Sequence, residues 1–360
     1  MTDIATDSDV SNDDSTPTPI GVKLGSDRTV VVYRDTDGRR KTVHRRTRHT
    51  SSEDTVNSDA PAPTLLGQMA AQQQQEHPSN AEYLLHSGLP ADARRAKLTE
   101  QFFENLCLEH ELPEDSAVVY AIPMVTDECG LANLATIVEQ SPVGCAFSRG
   151  FPETLCGAIP ALGDGVRAVD HQFIALNLGA TTLEACAYRR GERLSPVSSP
   201  AATGRDVDEA IAEAIADETD GSVSVHSETA RRYKETHADF SSFEPFSVTL
   251  ERPDGRTDEF TVEHGVTGPL DAYLDDVVAE LTTRFFARLA NEQMTVYQLA
   301  LTRPLVVTGG MACIPGLATE LAARLGDELG RDLTVVTADN PDVAAAEGAY
   351  RLAERLVATD

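Results

Sequence analysis

The chain has 360 residues, enough for two ordinary domains with buried cores, and 41% of its residues are hydrophobic. Its formal net charge is −28, from 58 acidic against 30 basic residues. Such a surface repels nucleic acids and anionic membranes, which argues against both as main partners. It indicates a salt-rich cytoplasm, where ions screen the repulsion among the carboxylates.

The six cysteines form no CxxC pair and have apolar neighbours. We expect them to be small buried residues in a reducing compartment rather than disulfides or metal ligands. The sequence has no N-terminal apolar stretch behind a basic region and no run of 18 apolar residues. These features predict a cytoplasmic protein without a membrane span.

In chain order, residues 1–18 are rich in Asp, Ser, Thr and Pro and predict a disordered acidic tail. Residues 19–33 then predict a β-hairpin, with two apolar strands joined by a turn at Gly25 and Ser26. Glycine in such a turn lets backbone N–H groups close on an anion, because no side chain blocks the approach.

A basic stretch begins at Arg39 and ends at Arg48 in this otherwise acidic chain. It is either a docking patch for an acidic partner, which the flank of another subunit could supply, or an exposed strand whose arginines pair with the chain's own carboxylates. The sequence favours neither interpretation. Residues 51–77 predict a loop followed by a polar helix.

Residues 91–112 show apolar side chains at helical spacing. Residues 118–122 predict a buried strand, and Asp127 or Glu128 opens the helix that follows. Another strand and helix are expected within residues 142–161.

A second hairpin follows at residues 173–188, with Gly179 in its turn. It repeats the plan of the first: an apolar strand, Leu-Gly, small or polar residues, and a second apolar strand. Two similar hairpins about half a chain apart indicate two similar half-domains that face each other across a cleft.

Further helices are predicted at residues 206–217, 227–235, 270–289 and 317–330, and an exposed hairpin at 246–263. Between the last two helices, a third apolar strand from Leu305 ends in Gly309 and Gly310. Glycines at this turn would let a flat base or ribose lie against the backbone.

In order and spacing, the turns at Gly25, Gly179 and Gly309 resemble the phosphate 1, phosphate 2 and adenosine motifs of the actin-like ATPase superfamily. The similarity is greatest to the bacterial rod-shape actin (MreB) group and its haloarchaeal relatives of the salactin type. It implies an α/β fold of two lobes, built on duplicated ribonuclease-H-like domains, with a nucleotide cleft between the lobes.

The same resemblance implies domain limits. The first lobe would comprise residues 19–168 and 345–360, with a reduced insertion at about 50–90. The second lobe would comprise residues 169–344, with a subdomain at about 205–265.

The resemblance also places ATP, or another purine nucleotide, in the cleft. The nucleotide-binding residues that it implies lie in and around the glycine turns and on the 227–235 helix; they are Lys23, Gly25, Ser26, Asn177, Gly179, Ala180, Thr181, Thr182, Gly204, Lys234, Glu235, Gly309, Gly310 and Met311. Asp127 or Glu128 stands where the family orients the attacking water, although helix capping explains either residue equally well.

The chain departs from the family at two positions. Lys23 and Asn177 stand where the family has aspartates that hold Mg²⁺ and its waters. A lysine cannot bind Mg²⁺, and an amide binds this cation more weakly than a carboxylate does. An Mg²⁺ site would therefore be atypical, hydrolysis is expected to be slow, and Lys23 could itself neutralise phosphate charge.

Three functions fit the resemblance. The first is a cytoskeletal protein that binds ATP and stacks with itself into head-to-tail filaments. The second is a non-polymerising adaptor or pseudo-ATPase. A sugar-kinase-type phosphotransferase is the third, and it is disfavoured because the sequence has no second pair of convergent carboxylates for a sugar pocket.

Overall fold

The computed structural model describes residues 16–51, 64–66, 81–144, 146–163, 165–221, 223–251 and 257–359. Most of the predicted acidic tail and the polar helix predicted before residue 77 lie outside these ranges. The described strands are β1 (Pro19–Leu24), β2 (Arg28–Arg34), β3 (Arg40–Arg46), β4 (Arg48–Ser51), β5 (Thr64–Leu66), β6 (Ala81–Tyr83), β7 (Ala117–Ile122), β8 (Phe147–Pro152), β9 (Gln172–Leu178), β10 (Leu183–Arg189), β11 (Glu192–Ser199), β12 (Phe246–Glu251), β13 (Thr257–Val262), β14 (Leu305–Thr308) and β15 (Val335–Thr337).

The helices surround these strands. They are α1 (Ala93–Glu109), α2 (Glu128–Glu139), α3 (Glu153–Ala161), α4 (Gly204–Glu218), α5 (Ser227–His237), α6 (Thr267–Glu280), α7 (Ala287–Glu292), α8 (Met294–Ala300), α9 (Leu317–Leu329) and α10 (Ala344–Val357). A turn of π-helix at Leu281–Phe286 joins α6 to α7, so the predicted 270–289 helix forms with a locally widened turn.

Two five-stranded sheets repeat one topology. The first has the order β3-β2-β1-β7-β8, and the second has the order β11-β10-β9-β14-β15. In each sheet an antiparallel hairpin is followed by a parallel pair, β1 with β7 and β9 with β14. The prediction of two related hairpins in two half-domains is confirmed, and we call the parts built on these sheets the first and second lobes.

Helices α3 and α10 lie between the two lobes and pack on each other. Helix α3 covers the second sheet through Leu155 and Ala158, and α10 covers the first sheet through Ala346 and Tyr350. The two helix backbones approach so closely at Gly348 that a Cβ there would lie 1.8 Å from the carbonyl oxygen of Cys156. Helix α10 thereby returns the end of the chain to the first lobe.

Each lobe also contains a smaller sheet. In the antiparallel sheet β5-β4-β6, β5 and β6 fall inside the 50–90 segment and β4 begins just before it; the hairpin β12-β13 matches the hairpin predicted at 246–263. The sequence-based prediction did not include β11 or α8, which pack beside β10 and β9.

Candidate functional site

A cavity of about 320 Å³ lies between the lobes, where the turns of the two hairpins meet. We call it the cleft cavity. It is lined by all the residues predicted to bind nucleotide except Gly309: Lys23, Gly25, Ser26, Asn177, Gly179, Ala180, Thr181, Thr182, Gly204, Lys234, Glu235, Gly310 and Met311. The folding of the chain therefore brings together groups that are up to 288 positions apart, from Lys23 to Met311.

The two hairpin turns touch through their hydroxyl groups. The Oγ of Ser26 lies 2.8 Å from the Oγ1 of Thr181, which donates to it. The backbone N–H of Gly88 donates to Ser26 at 2.8 Å, and that of Ser87 donates to Thr181 at 3.2 Å. The hydroxyls thus lie at the centre of a network that joins the lobes.

The turn that follows β14 requires a glycine at position 309. Gly309 has a φ of 95°, and a Cβ there would lie 2.4 Å from the carbonyl oxygen of Leu178 and 2.6 Å from the Oδ1 of Asn177. The absence of a Cβ at Gly309 therefore lets the end of β14 approach the end of β9 closely. Gly309 itself does not line the cavity. The next two residues, Gly310 and Met311, do line it.

The floor of the cavity holds a buried ion pair that the sequence did not reveal. The Nζ of Lys23 lies 2.8 Å from a carboxylate oxygen of Glu153, and the two side chains are only 13% and 9% exposed. Burial alone would lower the pKa of the Lys23 ammonium, but the charge and hydrogen bond of Glu153 outweigh burial and raise that pKa. Lys23 is therefore charged.

A second carboxyl group lies nearby without any exposed surface. Burial, reinforced by the charge of Glu153, raises the pKa of Glu184 to about 8. Its Oε1 accepts a hydrogen bond of 2.7 Å from the backbone N–H of Met124. Its Oε2, and the Oδ1 of Asn177 directly across the β9-β10 ladder, have no hydrogen-bond partner among the described residues.

The donor set at this floor does not fit a magnesium ion. Mg²⁺ takes carboxylate and water oxygens in octahedral geometry. Here the Lys23 ammonium lies beside the first hairpin turn, Glu153 is paired with Lys23, and Glu184 retains its proton at neutral pH. In the part of the chain that the structure describes, no group of three His, Cys, Asp or Glu side chains could hold a metal ion.

Lys234 and Glu235 both line the cavity, but they play different roles. The Lys234 ammonium donates to the carbonyl oxygen of Gly204 at 2.7 Å and pairs with Asp208 at 2.6 Å, so it fixes α5 against the start of α4. Burial raises the pKa of Asp208 to about 7 although Lys234 opposes this. Glu235 forms ion pairs with Arg28, Arg46 and Arg231.

Ion pairs between the lobes continue from Glu235 along one wall of the cleft. We call this network the inter-lobe clasp; its members are Asp27, Arg46 and Arg48 from the first lobe and Glu228, Arg231 and Glu235 from the second. Arg48 lies 2.6 Å from Glu228 and 3.1 Å from Asp27, and Arg231 lies 3.3 Å from Asp27. The pairs that cross the cleft favour a closed arrangement of the lobes.

Tyr83 extends the contact between the lobes. The guanidinium carbon of Arg48 lies 4.5 Å from the centre of the Tyr83 ring, and that of Arg205 lies 3.8 Å from it. These are cation–π distances. The Nε and Nη2 atoms of Arg205 are buried and have no hydrogen-bond partner within the described ranges, and Arg205 lines the cleft cavity.

The basic stretch from Arg39 to Arg48 largely pairs within the chain. Arg40 lies 2.9 Å from Glu347, Arg45 pairs with Glu109, and Arg46 and Arg48 belong to the inter-lobe clasp. The structure therefore favours internal pairing over a docking patch. Arg48 is 1% exposed, so an external acidic partner cannot reach it.

Asp127 and Glu128 are exposed and do not line the cavity. The Oδ1 of Asp127 accepts a hydrogen bond of 3.0 Å from the backbone N–H of Gly130, so Asp127 caps α2. Of the two explanations left open by the sequence, capping is the one that the structure displays.

The expectation of uniformly buried cysteines is wrong for two of them. Cys107, Cys156 and Cys186 are buried, whereas Cys129 and Cys313 are exposed; Cys145 lies outside the described residues. Cys129 is in the exposed first turn of α2, and Cys313 is at the rim of the cleft cavity. No helix among the described residues is long and apolar enough to span a bilayer.

Sequence reasoning missed several cavity residues, among them Glu153, Arg205 and Asp208. Glu153 reaches the cavity through contact with a segment distant in sequence, and local patterns do not encode such contacts. Arg205 and Asp208 lie on the helix that begins at the predicted Gly204, and this neighbourhood was a signal for both. For Glu184 a signal was available, since it is a single carboxylate within the apolar run 183–188, and charged residues are almost never fully buried without a specific reason.

Comparison with known proteins identifies relatives over nearly the whole chain. The family model described as Salactin matches residues 17–357. The chain is 46% identical over 341 residues to Salactin of Halobacterium salinarum, covering 95% of this chain and 92% of that protein.

Solved structures share the fold at low sequence identity. MreB5 of Spiroplasma citri bound to ADP matches with a TM-score of 0.76 and 14% identity, over 96% of this chain and 98% of that one. A MamK double helical filament matches with a TM-score of 0.71 and 19% identity, over 93% and 98%. The repeated sheets, the cleft and these matches lead to one conclusion: the chain belongs to the salactin family and has the two-lobed actin-like fold.

Proposed function

We propose that this protein binds ATP, or another purine nucleotide, in the cleft cavity and assembles into head-to-tail filaments of identical subunits. The observation that carries the proposal is the meeting of both hairpin turns and the third glycine turn around one cavity. The matched MreB5 structures are described as bound to ADP and to AMPPNP, and the matched MamK structure as a double helical filament.

The polar groups of the cavity fit a nucleotide. The backbone N–H groups of the two hairpin turns and the hydroxyls of Ser26, Thr181 and Thr182 suit phosphate oxygens. Arg205 adds a guanidinium with unused donors, which suit an anion. Gly310 and Met311 line the same cavity as Lys234 and Glu235 of α5, and we assign the base and ribose to this part of it.

Nucleotide would couple to assembly through closure of the cleft. A ligand that contacts both lobes favours the angle at which both sets of contacts are made. Only one closure angle presents complementary ends for stacking, and a head-to-tail interface that does not close generates a filament. The inter-lobe clasp already favours closure, so nucleotide need contribute only the remaining free energy.

Hydrolysis would be slow. Phosphoryl transfer depends on charge neutralisation and on positioning of the attacking water. The described residues at the cavity floor lack a carboxylate set for a divalent cation, and Asp127 and Glu128 lie outside the cavity. The nucleotide therefore acts mainly as a ligand that sets the conformation.

Equilibrium titration with ATP tests the binding site. We expect Arg205→Met to weaken ATP binding about 10- to 100-fold, because a hydrogen bond to a charged group contributes about 1.5–3 kcal/mol. Arg189→Met is the matched control, since Arg189 is exposed and pairs locally with Glu192. Equal affinities of the wild type and both variants would remove Arg205 from the site, and failure of the wild type to bind any purine nucleotide would overturn the proposed function.

A further inference from the structure

We propose that the cleft takes its nucleotide as the metal-free polyphosphate anion, with the ammonium of Lys23 in the role of the divalent cation. This inference rests on the proposed function and specifies the form of its ligand. The observation that carries it is the Lys23–Glu153 ion pair at the cavity floor, beside the first hairpin turn.

Lys23 retains donors for a phosphate. An ammonium carries three N–H groups, and Glu153 accepts from one of them at 2.8 Å. The other ammonium at the cavity, that of Lys234, is already committed to Gly204 and Asp208. Lys23 is therefore the lysine available to phosphate oxygens among the described residues that line the cavity.

The carboxylates around Lys23 are unavailable to a cation. Glu153 is held by Lys23, and Asp342 is held by Arg28 at 2.7 Å. Glu184 has no exposed surface and does not line the cavity. A dication placed among the phosphates would meet the Lys23 ammonium, and the nearest carboxylate, Glu153, already pairs with that ammonium.

The neighbouring amide also fits this arrangement. Asn177 is 3% exposed, lines the cavity, and has an Oδ1 with no hydrogen-bond partner in the described part of the chain. A single amide oxygen is a weak ligand for Mg²⁺, but it readily accepts a hydrogen bond from an ammonium or a water. The cavity floor thus offers the phosphates the Lys23 ammonium and hydrogen-bonding groups, and it does not offer a set of ligands for Mg²⁺.

The direct test is calorimetric titration of the full chain with ATP, in excess EDTA and in excess Mg²⁺ at matched ionic strength. We expect the apparent affinity for ATP to be about tenfold higher in EDTA than in Mg²⁺, because excess Mg²⁺ converts ATP into a complex whose metal the Lys23 ammonium repels. An affinity in EDTA equal to or lower than that in Mg²⁺ would overturn the inference and leave the proposed function intact. Absence of binding under both conditions would instead refute the proposed function.

Substitutions at the cavity floor test whether Lys23 is responsible for the binding of metal-free ATP. The double change Lys23→Met with Glu153→Gln removes the ion pair without leaving a buried charge unpaired, and we expect it to weaken binding in EDTA more than tenfold. Lys41→Met is the matched control, because Lys41 is 49% exposed and lies on the surface near Asp35. The pair Lys23→Asp with Asn177→Asp should make binding depend on Mg²⁺. Unchanged EDTA affinity in the Lys23→Met double variant would contradict the inference.

Discussion

Glu184 is a carboxyl group in an otherwise apolar strand, and it has no exposed surface. It remains there because the backbone N–H of Met124 bonds one oxygen and because the carboxyl group can stay protonated. Removing a carboxylate from water is far more costly than removing a neutral acid. Because Glu184 lies near the Lys23–Glu153 pair, its protonation also limits the negative charge near the two hairpin turns.

The raised pKa of Glu184 predicts a pH dependence of stability. The folded group titrates at about 8 and the ordinary value is 4.5, so folding retains a proton that the unfolded chain releases between these values. The contribution is fully present below the unfolded pKa and is lost as the pH rises through 8, at about 1.4 kcal/mol per pH unit. Glu184→Gln should therefore be more stable than the wild type at pH 8, and the difference should shrink towards pH 5.

Denaturant unfolding at fixed molar KCl, from pH 5 to pH 9, measures this difference. Glu192→Gln is the control, because Glu192 is 63% exposed at the start of β11. Parallel stability curves for the wild type and Glu184→Gln would show that Glu184 is ionised in the folded protein.

At the scale of elements, α10 joins the lobes by close backbone approach. Gly348 lies against Cys156 of α3, and Gly21 of β1 lies against α10, where a Cβ would be 2.2 Å from the carbonyl oxygen of Ala346. Glycine permits these distances because it has no Cβ. The packing of α10 between β1 and α3 thus depends on individual glycines.

Gly348→Ala should destabilise the protein strongly. The added methyl group would overlap backbone that cannot move without shifting α3, and overpacking typically costs about 1–3 kcal/mol or more. Gly268→Ala is the control, since Gly268 lies in α6 and a Cβ there would meet no atom of the described residues within 4 Å. That change should be neutral or stabilise by up to about 1 kcal/mol. Thermal unfolding of both variants distinguishes these effects, and equal midpoints would contradict the packing argument.

The sequence predicts elements better than it predicts the contacts between them. Apolar runs and glycine turns are local signals, so both hairpins and the helices α4 and α9 could be located from periodicity. The strand β11 was missed because Pro196 and several polar residues obscure its alternation. The pairs Lys23–Glu153 and Arg48–Glu228 carry no local signal, since their partners lie more than 100 residues apart.

At the scale of the whole molecule, the inter-lobe clasp combines buried and exposed ion pairs. The side chains of Arg48 and Glu228 are 1% and 6% exposed, whereas that of Glu235 is 41% exposed. Salt screens exposed pairs far more than buried ones. The buried part of the clasp should therefore hold the lobes together even in molar salt.

Two substitutions, one in the buried part of the clasp and one in the exposed part, test this difference in salt sensitivity. Glu228→Gln removes one of the two carboxylates that pair with the buried Arg48 guanidinium, and it should cost up to about 3–5 kcal/mol of unfolding free energy in both 0.1 M and 3 M KCl. Glu235→Gln should cost at most about 1 kcal/mol at 0.1 M KCl, with little effect remaining at 3 M. An effect of Glu228→Gln that disappears in high salt would contradict the buried character of the pair.

The proposed assembly would depend on the cleft, the inter-lobe clasp and the net charge together. Each subunit carries a net charge of −28, so association should strengthen as salt screens the repulsion between subunits. Light scattering and pelleting with and without ATP, from 0.1 to 3 M KCl, directly test whether nucleotide controls this assembly. We expect assembly that requires ATP and increases with the KCl concentration. Equal pellets with and without ATP at every salt concentration would contradict the claim that nucleotide in the cleft controls filament formation.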